Sequence, residues 1–168
     1  MQAPSTHLEG DDIDAGRLRT RVARTIAADP VGTALLLAGP AAVELWPGAT
    51  LLAEVGGRAL VEATLPAGDG APAGPPLAAC VRALPPRRTP TSFRSTFTWS
   101  GPGLPLTQGT LTLAYAAGSH GLAATYAVLV LDSEAVPDSR MSARSLAAMA
   151  EGFLANLAHL AEERSDAA

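Results

Sequence analysis

The chain has 168 residues, with 12 basic residues that are all arginine, 16 acidic residues and a formal charge of −4. Without a lysine it cannot set an ammonium on a nucleotide phosphate as P-loop hydrolases and ordinary protein kinases do, nor form a Schiff base through a lysine amine. The acidic balance argues against a nucleic-acid or anionic-membrane binder, because such partners are held by basic patches.

In chain order, residues 1–16 are polar and acidic (Glu9, Asp11, Asp12, Asp14) and read as a flexible tail without the basic start and apolar stretch of a signal peptide. Residues 17–168 read as one domain, since a chain of this length buries roughly 70% of its unfolded surface. Arg17 to Ala28 alternates Leu18, Thr20 and Val22 with arginines, the period of a strand with one wet face. Asp29-Pro30 then marks a helix start, with Asp29 as cap and Pro30 at the first helical position. A short helix through Leu35, Leu36 and Leu37 breaks at Gly39-Pro40, and a second short helix, Ala41 to Leu45, ends at Trp46-Pro47-Gly48. Thr50 to Val55 and Arg58 to Leu65 form a hairpin about Gly56-Gly57.

Pro66 to Pro76 reads as an exposed loop, Leu77 to Leu84 as a strand, and Pro85 to Pro90 as a rigid connector. In the strand Thr91 to Ser100, Phe93, Ser95, Phe97 and Trp99 point one way and Ser92, Arg94, Thr96 and Thr98 the other. Thr107 to Ala116 sets Leu111, Leu113 and Tyr115 against Thr110, Thr112 and Ala114. Leu122 to Leu131 is apolar on both faces around Tyr126, so both faces are expected to be covered. From about Ser139 to Arg164, Leu146, Met149, Phe153, Leu157 and Leu160 recur at spacings of three and four, the pattern of a long amphipathic helix capped by Asp138 or Ser139.

The opening strand into Asp29-Pro30, the helix pair ending Leu45-Trp46-Pro47-Gly48, the Gly56-Gly57 hairpin, the strand Thr91 to Ser100 and the closing Met149-Ala150-Glu151-Gly152-Phe153-Leu154 carry a resemblance. In this order of elements the chain resembles the helix-grip superfamily of START-related and SRPBCC proteins. The resemblance implies an α+β fold in which a curved antiparallel sheet of about seven strands wraps around the long C-terminal helix, with two short helices after the first strand and a deep apolar cavity between sheet and helix. It also implies a hydrophobic ligand of lipid or polyketide type. One branch resembles polyketide cyclases, aromatases and dehydratases, and another reading is a co-chaperone-like protein-binding module. An iminium step through a cavity lysine, which some helix-grip proteins use, is closed to this chain.

The residues expected to line such a cavity are Trp46, Phe93, Ser95, Phe97, Trp99, Leu113, Tyr115, Met149, Phe153 and Leu157. An empty apolar void of about 300 Å³ would cost on the order of 7 kcal/mol at about 24 cal/mol per Å³, an upper bound that a bound apolar ligand offsets. Turnover needs an acid or base beside the reacting carbonyl. The candidates are Tyr115, Ser95, Glu54 and Glu62, although a solvated outer face is the expected place for both glutamates and backbone satisfaction the expected role of Ser95. The inward faces offer hydroxyls and aromatics without a charged dyad, which favours binding over catalysis.

No metal site is expected, because His7, His120 and His159 are far apart and Cys80 stands alone. No cofactor is expected either: Gly68-Asp69-Gly70-Ala71-Pro72-Ala73 fits a dinucleotide fingerprint in letters only, lying in a proline-rich loop that opens no helix. Gly-x-Ser-x-Gly is absent. The single cysteine allows no internal disulfide and no run approaches the roughly 18 apolar residues of a membrane span, so a cytoplasmic monomer or homodimer is the expectation.

Overall fold

The computed structural model describes residues 16–66, 74–136 and 141–167. Most of the expected tail, the middle of the expected loop 66–76, and the expected caps Asp138 and Ser139 lie outside the described residues. The elements run β1 (Arg17–Ile26), α1 (Pro30–Leu35), a 3-10 helix (Pro40–Leu45), β2 (Ala49–Val55), β3 (Arg58–Ala63), β4 (Leu77–Ala83), β5 (Arg87–Arg88), β6 (Ser92–Gly101), β7 (Leu104–Ala117), β8 (Ala123–Glu134) and α2 (Ala143–Asp166).

Local chemistry accounts for the punctuation. Asp29 caps α1 by accepting from the Gly32 amide at 2.9 Å, and Pro30 sits inside the first turn, where its missing N–H costs nothing. Gly39, at φ 105°, separates α1 from the 3-10 helix, which ends at Trp46 in extended conformation. Gly56 and Gly57 both take positive φ, 59° and 72°, the pair of left-handed residues that a type I′ hairpin requires.

All strand pairs are antiparallel, and the sheet runs β1-β8-β7-β6-β4-β3-β2, with β5 paired to β6 off that path. The expected connector Pro85 to Pro90 therefore holds a two-residue strand, making eight strands where about seven were expected. One face of the sheet packs against α2, whose 24 residues span about 36 Å at 1.5 Å per residue. This is the helix-grip-like α+β architecture.

The buried stripe of α2 is Leu146, Met149, Ala150, Phe153, Leu154, Leu157, Ala158 and Ala161. Leu160 drops out of the expected stripe and is 41% exposed, because at 3.6 residues per turn Leu157, Ala158 and Ala161 continue the buried face. The helix starts later than expected: Ser142 is the cap, accepting from the Ser145 amide at 3.1 Å. Two tethers hold α2 in place. Asn156 Nδ2 donates to the Leu45 carbonyl at 2.9 Å, and the Ala27 amide donates to Glu162 Oε1 at 3.0 Å. One turn before Asn156, Gly152 lets the helix approach the Trp46-Pro47 corner, where a Cβ would sit 2.7 Å from Pro47 Cγ.

Strand β8 is covered on one face only. Ala127, Leu129 and Leu131 are fully buried, whereas Tyr126 on the opposite face is 40% exposed. Two-sided apolar character reflects the β propensity of valine and tyrosine as well as burial, and among the described residues no second layer covers that face.

Candidate functional site

A cavity of about 280 Å³ opens between the sheet, the 3-10 helix and α2. Its inner walls are Val43, Trp46, Ala59, Val81, Ser95, Phe97, Leu111 and Phe153. Leu37 to Gly39, Glu54, Gly57, Arg58 and Ala83 to Pro86 form the rim.

Trp46 organises the floor. Its ring meets Phe97 edge-on at 5.0 Å and 69°, meets Trp99 at 5.3 Å and 83°, and tilts over Phe153 at 4.4 Å. Such edge-to-face pairs add about 0.5–1.5 kcal/mol each beyond the area they bury. The local sequence explains the placement: the 3-10 helix ends at Leu45, and Pro47 and Gly48 (φ 71°) turn the chain into β2, which leaves Trp46 pointing into the core at 4% exposure. Phe97 lies directly opposite Gly109 across β6 and β7 and its ring occupies the space a Cβ there would take.

Of the ten residues expected to line a cavity, Trp46, Ser95, Phe97 and Phe153 do so. Trp99, Leu113, Met149 and Leu157 are buried core residues that do not line it. Trp99 stands behind Trp46, and among the described residues its buried Nε1 has no hydrogen-bond partner. Phe93 is partly buried outside the cavity, with the Arg88 guanidinium 5.9 Å from its ring centroid. Tyr115 is a correction: it shares the face of Leu111 and Leu113, as period two requires, but it lies near the end of β7 and is 53% exposed, so its phenol does not reach the cavity.

Ser95 is 7% exposed and its hydroxyl donates to the Leu84 carbonyl at 3.2 Å, the backbone satisfaction anticipated for it. The two glutamates part company. Glu62 lies opposite Thr50 on the outer face of the hairpin. Glu54 was expected on that outer face with Thr50 and Leu52, yet it pairs with Ala59 and lines the cavity rim. The cause is a bulge: the register shifts between Leu51 and Ala53, so Leu52 is an extra residue and every side chain after it changes face. His159 lies outside the cavity on α2, exposed, 3.4 Å from Glu163. Among the described residues no group of His, Cys, Asp and Glu has the arrangement of a metal site, and no helix is long and apolar enough to cross a membrane.

No family model matches the chain, and no curated protein does. Solved structures do. A conserved protein from Geobacillus kaustophilus superposes with a TM-score of 0.59 at 10% identity, covering 87% of this chain and 96% of its own. A START superfamily protein from Mycobacterium smegmatis gives 0.54 at 12% identity, covering 88% and 98%. The chain shares their fold. The Zhui aromatase/cyclase from Streptomyces sp. R1128 superposes with a TM-score of 0.53 at 17% identity, covering 89% of this chain and 96% of its own. At such identities the helix-grip architecture is what these proteins have in common, and the side chains in the cavity are this chain's own.

Proposed function

We propose that this protein binds a hydrophobic small molecule of lipid or polyketide type in the cavity between its sheet and C-terminal helix. The observation that carries the reading is an open, mostly apolar cavity floored by Trp46, Phe97 and Phe153 in a fold that also houses START proteins. At about 280 Å³ it falls just below the roughly 300–1,000 Å³ typical of small-molecule sites, which favours a ligand of a few rings or one short chain over a two-chain lipid. Aromatic floors suit flat ligands, because offset and edge-on contacts need planar partners.

The test is a thermal-shift screen of fatty acids, aromatic polyketides and flavonoid-like compounds. A ligand at a hundred times its Kd adds about 2.7 kcal/mol, which at this length raises Tm by roughly 5 to 10 °C. A screen in which no compound of these classes moves Tm counts against the reading.

A second reading, cyclisation or dehydration of a poly-ketone in the same cavity, is favoured by one observation: the Leu52 bulge brings a carboxylate, Glu54, to the rim of an otherwise apolar cavity. The superposition on an aromatase/cyclase is consistent with it. Glu54 would then serve as the acid or base, and Glu54→Gln is expected to lower turnover of a cyclising poly-ketone by about 10²- to 10⁴-fold while leaving the ligand-induced Tm shift in place. Equal turnover by wild type and Glu54→Gln removes Glu54 from that role.

A further inference from the structure

Of the side chains that line the cavity, two are charged, Glu54 and Arg58, and both stand at its mouth on the hairpin of β2 and β3. They occupy adjacent rungs of the ladder, Glu54 opposite Ala59 and Arg58 opposite Val55, yet among the described residues neither is in an ion pair. Glu54 reaches the mouth through an irregularity that does nothing for the core. The bulge puts an extra residue into β2 and leaves Leu52 62% exposed, with Val55 beyond it 66% exposed, so no apolar burial is gained in return. What the bulge does achieve is a carboxylate beside a guanidinium at the opening of an apolar cavity.

The interior offers a ligand no comparable partner. Ser95 is the one uncharged polar side chain on its walls, and its proton already goes to the Leu84 carbonyl. A polar group buried without a partner is costly, so the polar end of a ligand belongs at the mouth. There the two charges cancel. A carboxylate placed between them is drawn to Arg58 and repelled by Glu54, and recovers little of the hydration it gives up. An amine meets the same conflict in reverse. A hydroxyl with a carbonyl meets none, because a carboxylate only accepts hydrogen bonds and a guanidinium only donates them. Both bonds would be charge-assisted.

Resting on the reading that the cavity binds a hydrophobic molecule, we propose that Glu54 and Arg58 set its specificity: they select a neutral ligand whose mouth-facing end carries both a hydroxyl and a carbonyl, and they reject a carboxylic acid of the same size. Glu54 accepts from the hydroxyl and Arg58 donates to the carbonyl, while the apolar body of the ligand lies on Trp46, Phe97 and Phe153. Rejection here comes from the unfavourable member of the pair, as specificity generally needs a repulsive element as well as an attractive one. Of the two ligand types that suit an apolar cavity, the selection therefore favours flat hydroxy-ketones over fatty acids.

The test is calorimetric titration of the full chain with flavone, 6-hydroxyflavone and flavone-6-carboxylate, which differ at one position, and with laurate as a fatty acid. The hydroxyl is expected to tighten binding about fivefold over flavone, the worth of one hydrogen bond at an exposed mouth, and the carboxylate to bind more weakly than the hydroxyl compound. Glu54→Ala is expected to abolish that preference and leave flavone binding as it was. Glu54→Gln, whose amide oxygen still accepts, restores the preference and, with the negative charge gone, raises affinity for the carboxylate about threefold. Arg58→Ala is expected to weaken flavone and 6-hydroxyflavone alike by about fivefold, since both present the carbonyl. Circular dichroism of each variant confirms that it is folded. Equal binding of flavone and 6-hydroxyflavone overturns the selection and leaves the cavity reading standing, as does a preference that Glu54→Ala does not change, or binding of laurate without the flavones. Silence from all four probes overturns the selection together with the cavity reading on which it rests.

Discussion

Gly109→Ala is expected to destabilise the protein by about 1–3 kcal/mol, the range for overpacking a well-filled core, and so to lower Tm by roughly 2 to 12 °C at this length. The reason is local. Gly109 faces Phe97 across β6 and β7, and a Cβ on Gly109 would stand inside the Phe97 ring. Backbone cannot yield there, since Phe97 and Gly109 sit mid-strand between the pairs Thr96↔Thr110 and Thr98↔Gln108. The ring must therefore move, and the space beside it is the cavity it lines. A double-mutant cycle separates this account from a general intolerance of β7. Phe97→Ala alone is expected to cost about 3–5 kcal/mol, but Gly109→Ala made on that background should cost nothing further, because the atoms it would strike are gone. Chemical denaturation of the four proteins gives the coupling. Additive losses would show that the glycine is needed for backbone reasons instead.

The same pair of residues shows how much of the site was legible in the sequence. Alternation along Thr91 to Ser100 suffices to put Ser95 and Phe97 on the inner face, since a strand's period is two and polar and aromatic residues change places at each step. Asp29-Pro30 and Gly56-Gly57 are equally legible, because a cap and a type I′ turn depend on residue chemistry within a few positions. What fails is whatever depends on depth or on an unmarked irregularity. Tyr115 has the right face and the wrong depth: parity says which side a residue occupies, and only the covering layer says whether that side is buried there. Glu54 fails through the bulge, for Leu51-Leu52-Ala53 carries no glycine, proline or polar residue to mark an inserted position.

Ala59, Val81 and Leu111 line the cavity without having been singled out, and here a signal existed. Ala59, Val61 and Ala63 are buried at alternate positions of β3, so that period two would have assigned Ala59 to the inner wall. Small residues at that wall leave the space that the aromatic floor of the cavity does not fill. The volume of the site thus comes from alanine as much as from its rings, which is why a search for aromatic residues alone finds the floor and misses the sides.

Trp46→Ala is expected to have the largest effect of any single substitution in the cavity, about 3–5 kcal/mol, or roughly 6 to 20 °C in Tm at this length. Trp46 touches Phe97, Trp99 and Phe153, so its loss removes three ring contacts at once and joins the space it leaves to the existing cavity. Beyond it lies Trp99, whose buried Nε1 has no hydrogen-bond partner among the described residues. Water entering the enlarged cavity would reach the Trp99 ring. The chain has two tryptophans, so in Trp46→Ala the emission comes from Trp99 alone and reports that arrival directly as a red shift. Trp46→Phe is the control, since it also leaves Trp99 as the sole emitter but keeps a ring in place; its emission should stay blue and its stability closer to wild type. The enlarged cavity should also accept bulkier members of whichever ligand class raises Tm in the wild type. Blue emission from both variants, with equal stability, would show that Trp46 does not separate the cavity from Trp99.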